Sequence, residues 1–324
     1  MLTLLLPGCQ PGAPEDPLQA YVETLSATLS VASEATPAPS TIPPPTSGGL
    51  PSHPASIPLE GIGLLALTGC AVQATIGKYD SSLGRSAKAS QRLILALEYL
   101  RLAPACIRQL QKYGNAALAR RLQTGWHKQR AHLPELIFNA TLGSEEYRAF
   151  WLASPAPGDF PRSGHEATAN ALRSIDRDVR RWLGGDYRAQ NRSFELLLSE
   201  IAGGDGGALW QALSRHSQWL HDADTILEQY RHSQGRCMDY QRFAAITRLS
   251  IRFNGEIQSR YTQSISRYRE YLAAISALEH QLSDALTPHY LQWLAARNQH
   301  LNEIDNAADQ HSAQLEHLRL ACAP

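Results

Sequence analysis

Apolar positions recur at helical spacing along most of this chain, and strand-like alternation is nearly absent. Between residues 18 and 31, Leu18, Tyr21, Val22, Leu25 and Leu29 step by threes and fours, which predicts a short amphipathic helix. Residues 35–58 break the pattern with eight prolines among Ser, Thr and Gly. Such a stretch builds no packed core and favours extended polyproline conformations. From Leu59 onward the helical pattern returns over 61–78, 88–102, 104–123 and 166–183. Its punctuation is Ser81-Ser82-Leu83-Gly84, the Pro/Gly stretch 154–164, and Gly203-Gly204-Asp205-Gly206-Gly207, the last a plain linker signal between helices.

The C-terminal third has the cleanest periodicity. Phe253, Ile257, Tyr261, Ser264, Tyr268, Leu272, Ile275 and Leu282 form one stripe. After Thr287-Pro288, a good helix start, Leu294, Leu301, Ala308, Leu315 and Cys322 repeat every seven, with Ile304 and Leu318 beside them. The expected fold is therefore all-α: a multi-helix bundle with a long C-terminal antiparallel helical hairpin (256–285 against 289–322), preceded by a flexible Pro-rich tether. The division is a signal remnant at 1–8, a tether at 9–58 carrying the helix 18–31 and the linker 35–58, and a helical domain at 59–324. The 289–322 stripe packs within the bundle on this reading; its alternative is an exposed coiled-coil assembly element.

The 30 basic and 30 acidic residues of the 324 cancel, which argues against a nucleic-acid partner. No Lys or Arg precedes Lys78, while Glu15, Asp16, Glu23 and Glu34 do. Removing residues 1–58 therefore takes away four acids and no base, leaving 30 − 26 = +4, an ordinary solvated surface.

The N-terminus has its own chemistry. Leu6-Pro7-Gly8-Cys9 has the form of a lipoprotein processing site, with Cys9 as the lipid attachment point and Leu2–Leu6 as a fragment of the apolar run. No basic segment precedes it, Pro7 is unusual there, and the run is shorter than the roughly 15–30 residues of an ordinary signal peptide. The expectation is a start codon upstream of Met1. A lipid followed by a Pro-rich spacer of 24 residues, about 75 Å long at full extension, would hold a folded body off a membrane. The helix at 18–31 lacks Lys and Arg, so docking back onto the body suits it better than lying on anionic lipid. Gln10 after the anchor implies the outer membrane, facing the periplasm.

Besides Cys9 there are Cys70, Cys106, Cys237 and Cys322, an even remainder that suits an oxidising compartment. Three pairings are open; the sequence-local one is Cys70–Cys106 with Cys237–Cys322. In the first, Pro104 would break a helix and turn Cys106 back. The second requires the chain to double back, for instance at Asn254-Gly255.

Candidate catalytic and metal chemistry is thin. No His pair lies at i, i+4; His289, His300 and His311 share a helix face but stand about 16 Å apart in succession, too far for one ion. His311 falls in the apolar stripe, where a hydrogen-bonded half-buried histidine is the expected outcome. Asp80-Ser81-Ser82-Leu83-Gly84 faintly echoes a hydrolase nucleophile turn, yet a helix rather than a strand precedes it. It reads as a helix connection, with Asp80 and the serines bonding free backbone groups and Gly84 permitting a positive φ. Ser144 with Glu145 and Glu146 reads as a helix N-terminus. No catalytic residue, metal site or cofactor emerges.

Several segments in this order resemble an uncharacterised lipoprotein family of Gram-negative bacteria, catalogued as domain of unknown function 3080. They are the lipobox-like start, Cys70, Ser81-Ser82-Leu83-Gly84-Arg85, Ser90-Gln91-Arg92-Leu93, Cys106, and Phe138-Asn139-Ala140-Thr141-Leu142-Gly143-Ser144-Glu145. The resemblance lies mainly between residues 60 and 150 and singles out a polar motif of Ser81, Ser82, Gly84, Arg85, Gln91, Arg92, Asn139 and Glu145. In the family the serine pair follows Arg-Asn, where this chain has Tyr79-Asp80. The resemblance implies localisation and fold, since the family has no assigned activity. The functional expectation is a non-catalytic, membrane-tethered module contacting another envelope protein; the alternative is a periplasmic hydrolase with a dispersed site.

Overall fold

Helix α1 (Pro17–Leu29) begins where Asp16 accepts a hydrogen bond from the Leu18 amide and Pro17 presets the first turn. It ends at Ser30, which takes the left-handed conformation (φ 56°) while the amides of Ser30 and Val31 close onto Ala27 and Ser26. Its buried residues are Leu18, Tyr21, Val22, Leu25 and Leu29, the stripe marked by spacing. The computed structural model describes residues 16–32, 64–154, 165–233 and 240–323. The processing site at Cys9, the linker 35–58 and Cys237 lie outside the described residues.

The body follows as α2 (Val72–Asp80), α3 (Ser82–Arg85), α4 (Ala89–Lys112), α5 (Ala116–Ala131), α6 (Leu133–Ala140), α7 (Glu145–Leu152), α8 (His165–Leu183), α9 (Asn191–Ala202), α10 (Gly206–Ser233), α11 (Tyr240–Arg252), α12 (Gln258–Gln281) and α13 (Pro288–Ala321). Among the described residues there is no strand, and no helix is long and apolar enough to cross a membrane. Buried side chains from α1 through α13 form one contiguous core.

Three expectations change. The helix expected over 61–78 is instead a 3-10 turn (Leu64–Leu67) and α2, separated where Gly69 takes φ 88°. The break expected at Pro104 does not occur: α4 runs through it. A proline there has no N–H for the Leu100 carbonyl, and the Trp126 indole N–H from α5 supplies that hydrogen bond at 2.9 Å. Cys70 and Cys106 are nevertheless bonded, with Cα atoms 5.4 Å apart, because the segment before α2 brings Cys70 onto the side of α4. Nor does Asn254-Gly255 reverse the chain; it lies in a π-helical turn (Phe253–Ile257) that joins α11 to α12 in one helical run. Cys322 is buried and disulfide-bonded.

The C-terminal helices also pack differently from a simple hairpin. α12 and α13 are antiparallel: Gln258 donates to Asp309, Tyr261 donates to the Ile304 carbonyl, and Arg297 pairs with Glu279. Yet α13 packs more extensively on α10, to which it runs parallel, Ser214 meeting His300 and Asp224 meeting His311. Trp151 of α7 packs beside both C-terminal helices, its ring centroid 6.5 Å from Tyr268 of α12 and 5.1 Å from Trp293 of α13. The heptad stripe turns inward: Ile304, Ala308, Leu315 and Leu318 are buried in the same chain, so it presents no exposed assembly seam there.

The glycine run 203–207 links α9 to α10, as its composition predicts, and is tightly packed. A Cβ on Gly206 would lie 2.0 Å from Phe150 Cζ, and one on Gly207 2.0 Å from the Trp151 carbonyl oxygen. Absent side chains let α7 lie directly on the first turn of α10. Between these glycines, Asp205 accepts from Tyr271 at 2.7 Å and pairs with Arg267 at 3.3 Å, tying the turn to α12.

Candidate functional site

The polar motif singled out in the sequence resolves into helix ends. Ser81 caps α3, accepting from the Gly84 amide and donating to the Lys78 carbonyl. Ser82 and Gln91 are exposed and Arg92 is half-buried, while the side chain of Arg85 lies outside the described residues. Gly84 has no positive φ, contrary to expectation; a Cβ there would meet the Lys78 carbonyl oxygen at 2.2 Å, so close approach requires the glycine. Ser144 caps α7 by accepting from the Tyr147 amide, with Glu145 exposed in its first turn. Asn139 is buried on α6, its side-chain oxygen without a hydrogen-bond partner in the structure. The two halves of the motif approach through Lys88 and Glu146, 4.0 Å apart at the surface. No nucleophile and base are paired among them.

Two clusters have the hydrogen-bond order of catalytic machinery, and neither was legible in the sequence. In one, Ser214 of α10 is 2.8 Å from His300 Nε2 and Glu303 of α13 is 3.0 Å from His300 Nδ1, with Ser214 buried and Glu303 exposed. The other is fully sealed. Its residues come from three distant helices: Tyr21 of α1, Asp224 of α10 and His311 of α13. His311 Nδ1 is 2.6 Å from an Asp224 carboxylate oxygen, and its Nε2 is 2.7 Å from the Tyr21 hydroxyl. The carboxylate places the imidazole proton on Nδ1, leaving Nε2 to accept from Tyr21. This is the nucleophile–base–orienter order of hydrogen bonds found in hydrolytic triads. Its setting prevents that chemistry. Tyr21 and His311 are both 0% exposed, so no substrate reaches the hydroxyl. Burial, and then the neighbouring Asp224 carboxylate, push the Tyr21 phenol well above its ordinary value, the wrong direction for a nucleophile. Phe253 closes the chamber, its ring 4.6 Å from His311 and 5.3 Å from Tyr21.

The trio works as a latch. Tyr21 reaches it from the centre of the buried face of α1, and a second contact holds the helix start: His216 of α10 lies 2.9 Å from Asp16. Partial burial pushes the Asp16 carboxyl up, but the hydrogen bond and charge of His216 and the amides of Leu18 and Gln19 hold it below its ordinary value. The only sequence signals were His311 in an apolar stripe and Tyr21 on an apolar face, with nothing to pair them across 290 positions.

A second buried network lies at the aromatic centre. Arg297 donates to both oxygens of Glu279 (2.7 and 3.0 Å), stacks on Trp293 at 5.0 Å, and shares Glu279 with the Tyr290 hydroxyl at 2.6 Å. Burial disfavours the guanidinium charge, yet Glu279 outweighs it and raises the Arg297 pKa. Its hydrogen bonds are mutual, and the Arg297 and Glu279 side chains are buried.

A surface groove of about 480 Å³ lies between α4, α8 and α9, lined by Arg101, Asp178, Arg181, Trp182, Arg188 and Phe194 among others. Its charges largely answer one another. Arg181 pairs with Asp178 at 2.8 Å and Asp186 at 3.3 Å, and Arg188 grips Asp186 through two nitrogens at 2.9 Å each. The Arg188 hydrogen bonds come first in holding the Asp186 carboxyl far below its ordinary range. Three arginines less two aspartates leave +1. Among the described residues, no group of three or more His, Cys, Asp or Glu is arranged to hold a metal ion.

A family model described as "Protein of unknown function (DUF3080)" matches residues 18–322, nearly the whole chain. The chain belongs to that family. No curated protein and no solved structure matches it.

Proposed function

We propose that this protein is an envelope lipoprotein, anchored by a lipid on Cys9, whose helical body acts by contact rather than catalysis. The observation that carries the non-catalytic reading is that the hydroxyl is buried in both described clusters with the hydrogen-bond order of a triad. Tyr21–His311–Asp224 is closed to solvent and used to hold α1, and in Ser214–His300–Glu303 the serine is 5% exposed. Supporting the anchor are Leu6-Pro7-Gly8-Cys9 and the Pro-rich stretch behind it. The Cys70–Cys106 disulfide is consistent with an oxidising compartment.

Intact-mass analysis of the mature chain from membrane fractions tests the anchor. The reading expects Cys9 as the first residue, carrying diacylglycerol; a mature chain with an unmodified Cys9 would end it. The non-catalytic half is tested by an active-site-directed fluorophosphonate on the native chain, where labelling at Ser214, Ser81 or Ser82 would overturn it.

A further inference from the structure

We propose that the tip of the α4–α5 hairpin binds the anionic headgroups of a phospholipid surface; this goes beyond the anchor reading and does not depend on it. Residues 99–134 contain seven Lys and Arg residues and no Asp or Glu, a local charge of +7 in a chain whose 30 bases and 30 acids cancel. Folding gathers these cations. α4 and α5 run antiparallel, the Tyr99 hydroxyl donating to the Leu122 carbonyl and the Trp126 indole to that of Leu100. Arg108 and Lys112, in the last two turns of α4, therefore share the hairpin end with Arg120 and Arg121, in the first two turns of α5. Lys128 and Arg130 continue along α5, and these cations are all exposed. Among the described residues, Arg108, Lys112, Arg120, Lys128 and Arg130 form no ion pair with a carboxylate. Arginines of the α8–α9 groove, by contrast, are answered by Asp178 and Asp186.

The shape of the tip says which anionic partner it fits. Gly114 takes φ 81°, so the Asn115 amide closes onto the Leu110 carbonyl, and Asn115 then caps α5 by accepting from the Leu118 amide. Every residue from Gln111 to Ala117 is exposed, and nothing lies within 4 Å of where a Gly114 Cβ would stand. Tyr113 is at the apex, 74% exposed. The Cys70–Cys106 disulfide pins α4 about two turns before it. An exposed tyrosine ringed by cations suits the lipid interface, where the amphipathic ring sits at headgroup level and the cations meet phosphate. Binding a nucleic-acid strand instead uses a groove with successive stacking rings, not one ring on a convex tip. A folded acidic protein would have to present carboxylates in one fixed array to cations on two helices, whereas a fluid lipid layer arranges its charges around them.

The test uses the full-length chain with Cys9→Ser, so that no acyl chain contributes. Vesicles of phosphatidylethanolamine and phosphatidylglycerol should co-sediment it, and vesicles of phosphatidylcholine alone should not. The bound fraction should fall as salt rises from about 0.05 to 0.5 M. Arg108→Gln, Lys112→Gln, Arg120→Gln and Lys128→Gln together should weaken partitioning at least about tenfold. Circular dichroism should stay unchanged, since these side chains are exposed. Tyr113→Ala should weaken binding severalfold and leave its salt dependence as it was. Binding no better to phosphatidylglycerol than to phosphatidylcholine overturns the proposal, as does wild-type binding by the quadruple variant. Poly-glutamate that binds as tightly as the vesicles, with Tyr113→Ala lacking effect on either, overturns it in favour of an acidic protein partner. A native Cys9 without diacylglycerol would end the anchor reading and leave this contact standing, whereas failure here leaves the anchor untouched.

Discussion

Replacing Glu279 by Gln isolates the strongest electrostatic commitment in the core. Glu279 and Arg297 have side chains only 6% and 2% exposed, so neither charge has water to fall back on. Glutamine keeps the volume and one acceptor oxygen, allowing a hydrogen bond to Arg297 or Tyr290, but it removes the countercharge. Stranding a buried cation in this way costs about 3–5 kcal/mol, a large share of the 5–15 kcal/mol available to a typical domain. Part of the loss will be softened by Asn298, whose side-chain oxygen is 3.1 Å from Arg297 Nη2, and by the Trp293 face. Urea unfolding followed by far-ultraviolet circular dichroism is the assay, read as a midpoint shift at constant slope. The double variant Glu279→Leu with Arg297→Met closes the cycle. It removes both charges at similar volume, and the Tyr290 hydroxyl still has Tyr147 at 3.2 Å, so stability should return to within about 1 kcal/mol of wild type or exceed it. A Glu279→Gln loss below about 1 kcal/mol with unchanged slope refutes the premise that this charge is sealed.

Other consequences are simpler to state. Trp126→Phe should cost about 1–3 kcal/mol by leaving the Leu100 carbonyl bare; adding Pro104→Ala, which restores the N–H of residue 104, should recover much of it in a double-mutant cycle. Gly206→Ala should lower the thermal midpoint, corresponding to about 1–3 kcal/mol of overpacking against Phe150, whereas Gly255→Ala, with nothing within 4 Å, should be neutral or stabilising. Because the folded-state pKa of Asp16 lies below 3.8, its contribution to α1 docking is fully present above that pH and is lost as pH falls through the folded value. Protease sensitivity of residues 17–29 should therefore rise on acidification below pH 3.8, and Asp16→Asn should remove that component.

Periodicity made the buried face of α1 legible, because five apolar positions on one face leave a helix one way to turn, although the helix ends at Leu29 rather than residue 31. Local end signals were equally readable: Ser144 and Thr287 cap the helices they precede. Sequence reasoning failed where a distant partner rewrites a local rule. Pro104 should stop a helix, and does not, because an indole from another helix takes the stranded carbonyl. Gly203 to Gly207 do link α9 to α10, but nothing local reveals Phe150 and Trp151 packing against Gly206 and Gly207. The antiparallel contact of α13 with α12 was readable, whereas its fuller packing on α10 was not, since no local signal marks that distant neighbour. The latch joins α1, α10 and α13, and its buried histidine looked in the sequence like any other polar interruption of a stripe.

The account turns on α1 being held to the body by the Tyr21–His311–Asp224 latch. Hydrogen–deuterium exchange on the native full-length chain at neutral pH, resolved over residues 17–29, addresses this most directly. The account predicts amides protected far beyond random-coil rates, with protection falling in Tyr21→Phe while α10 and α13 keep theirs. Exchange across 17–29 at coil rates in the wild-type chain would contradict it.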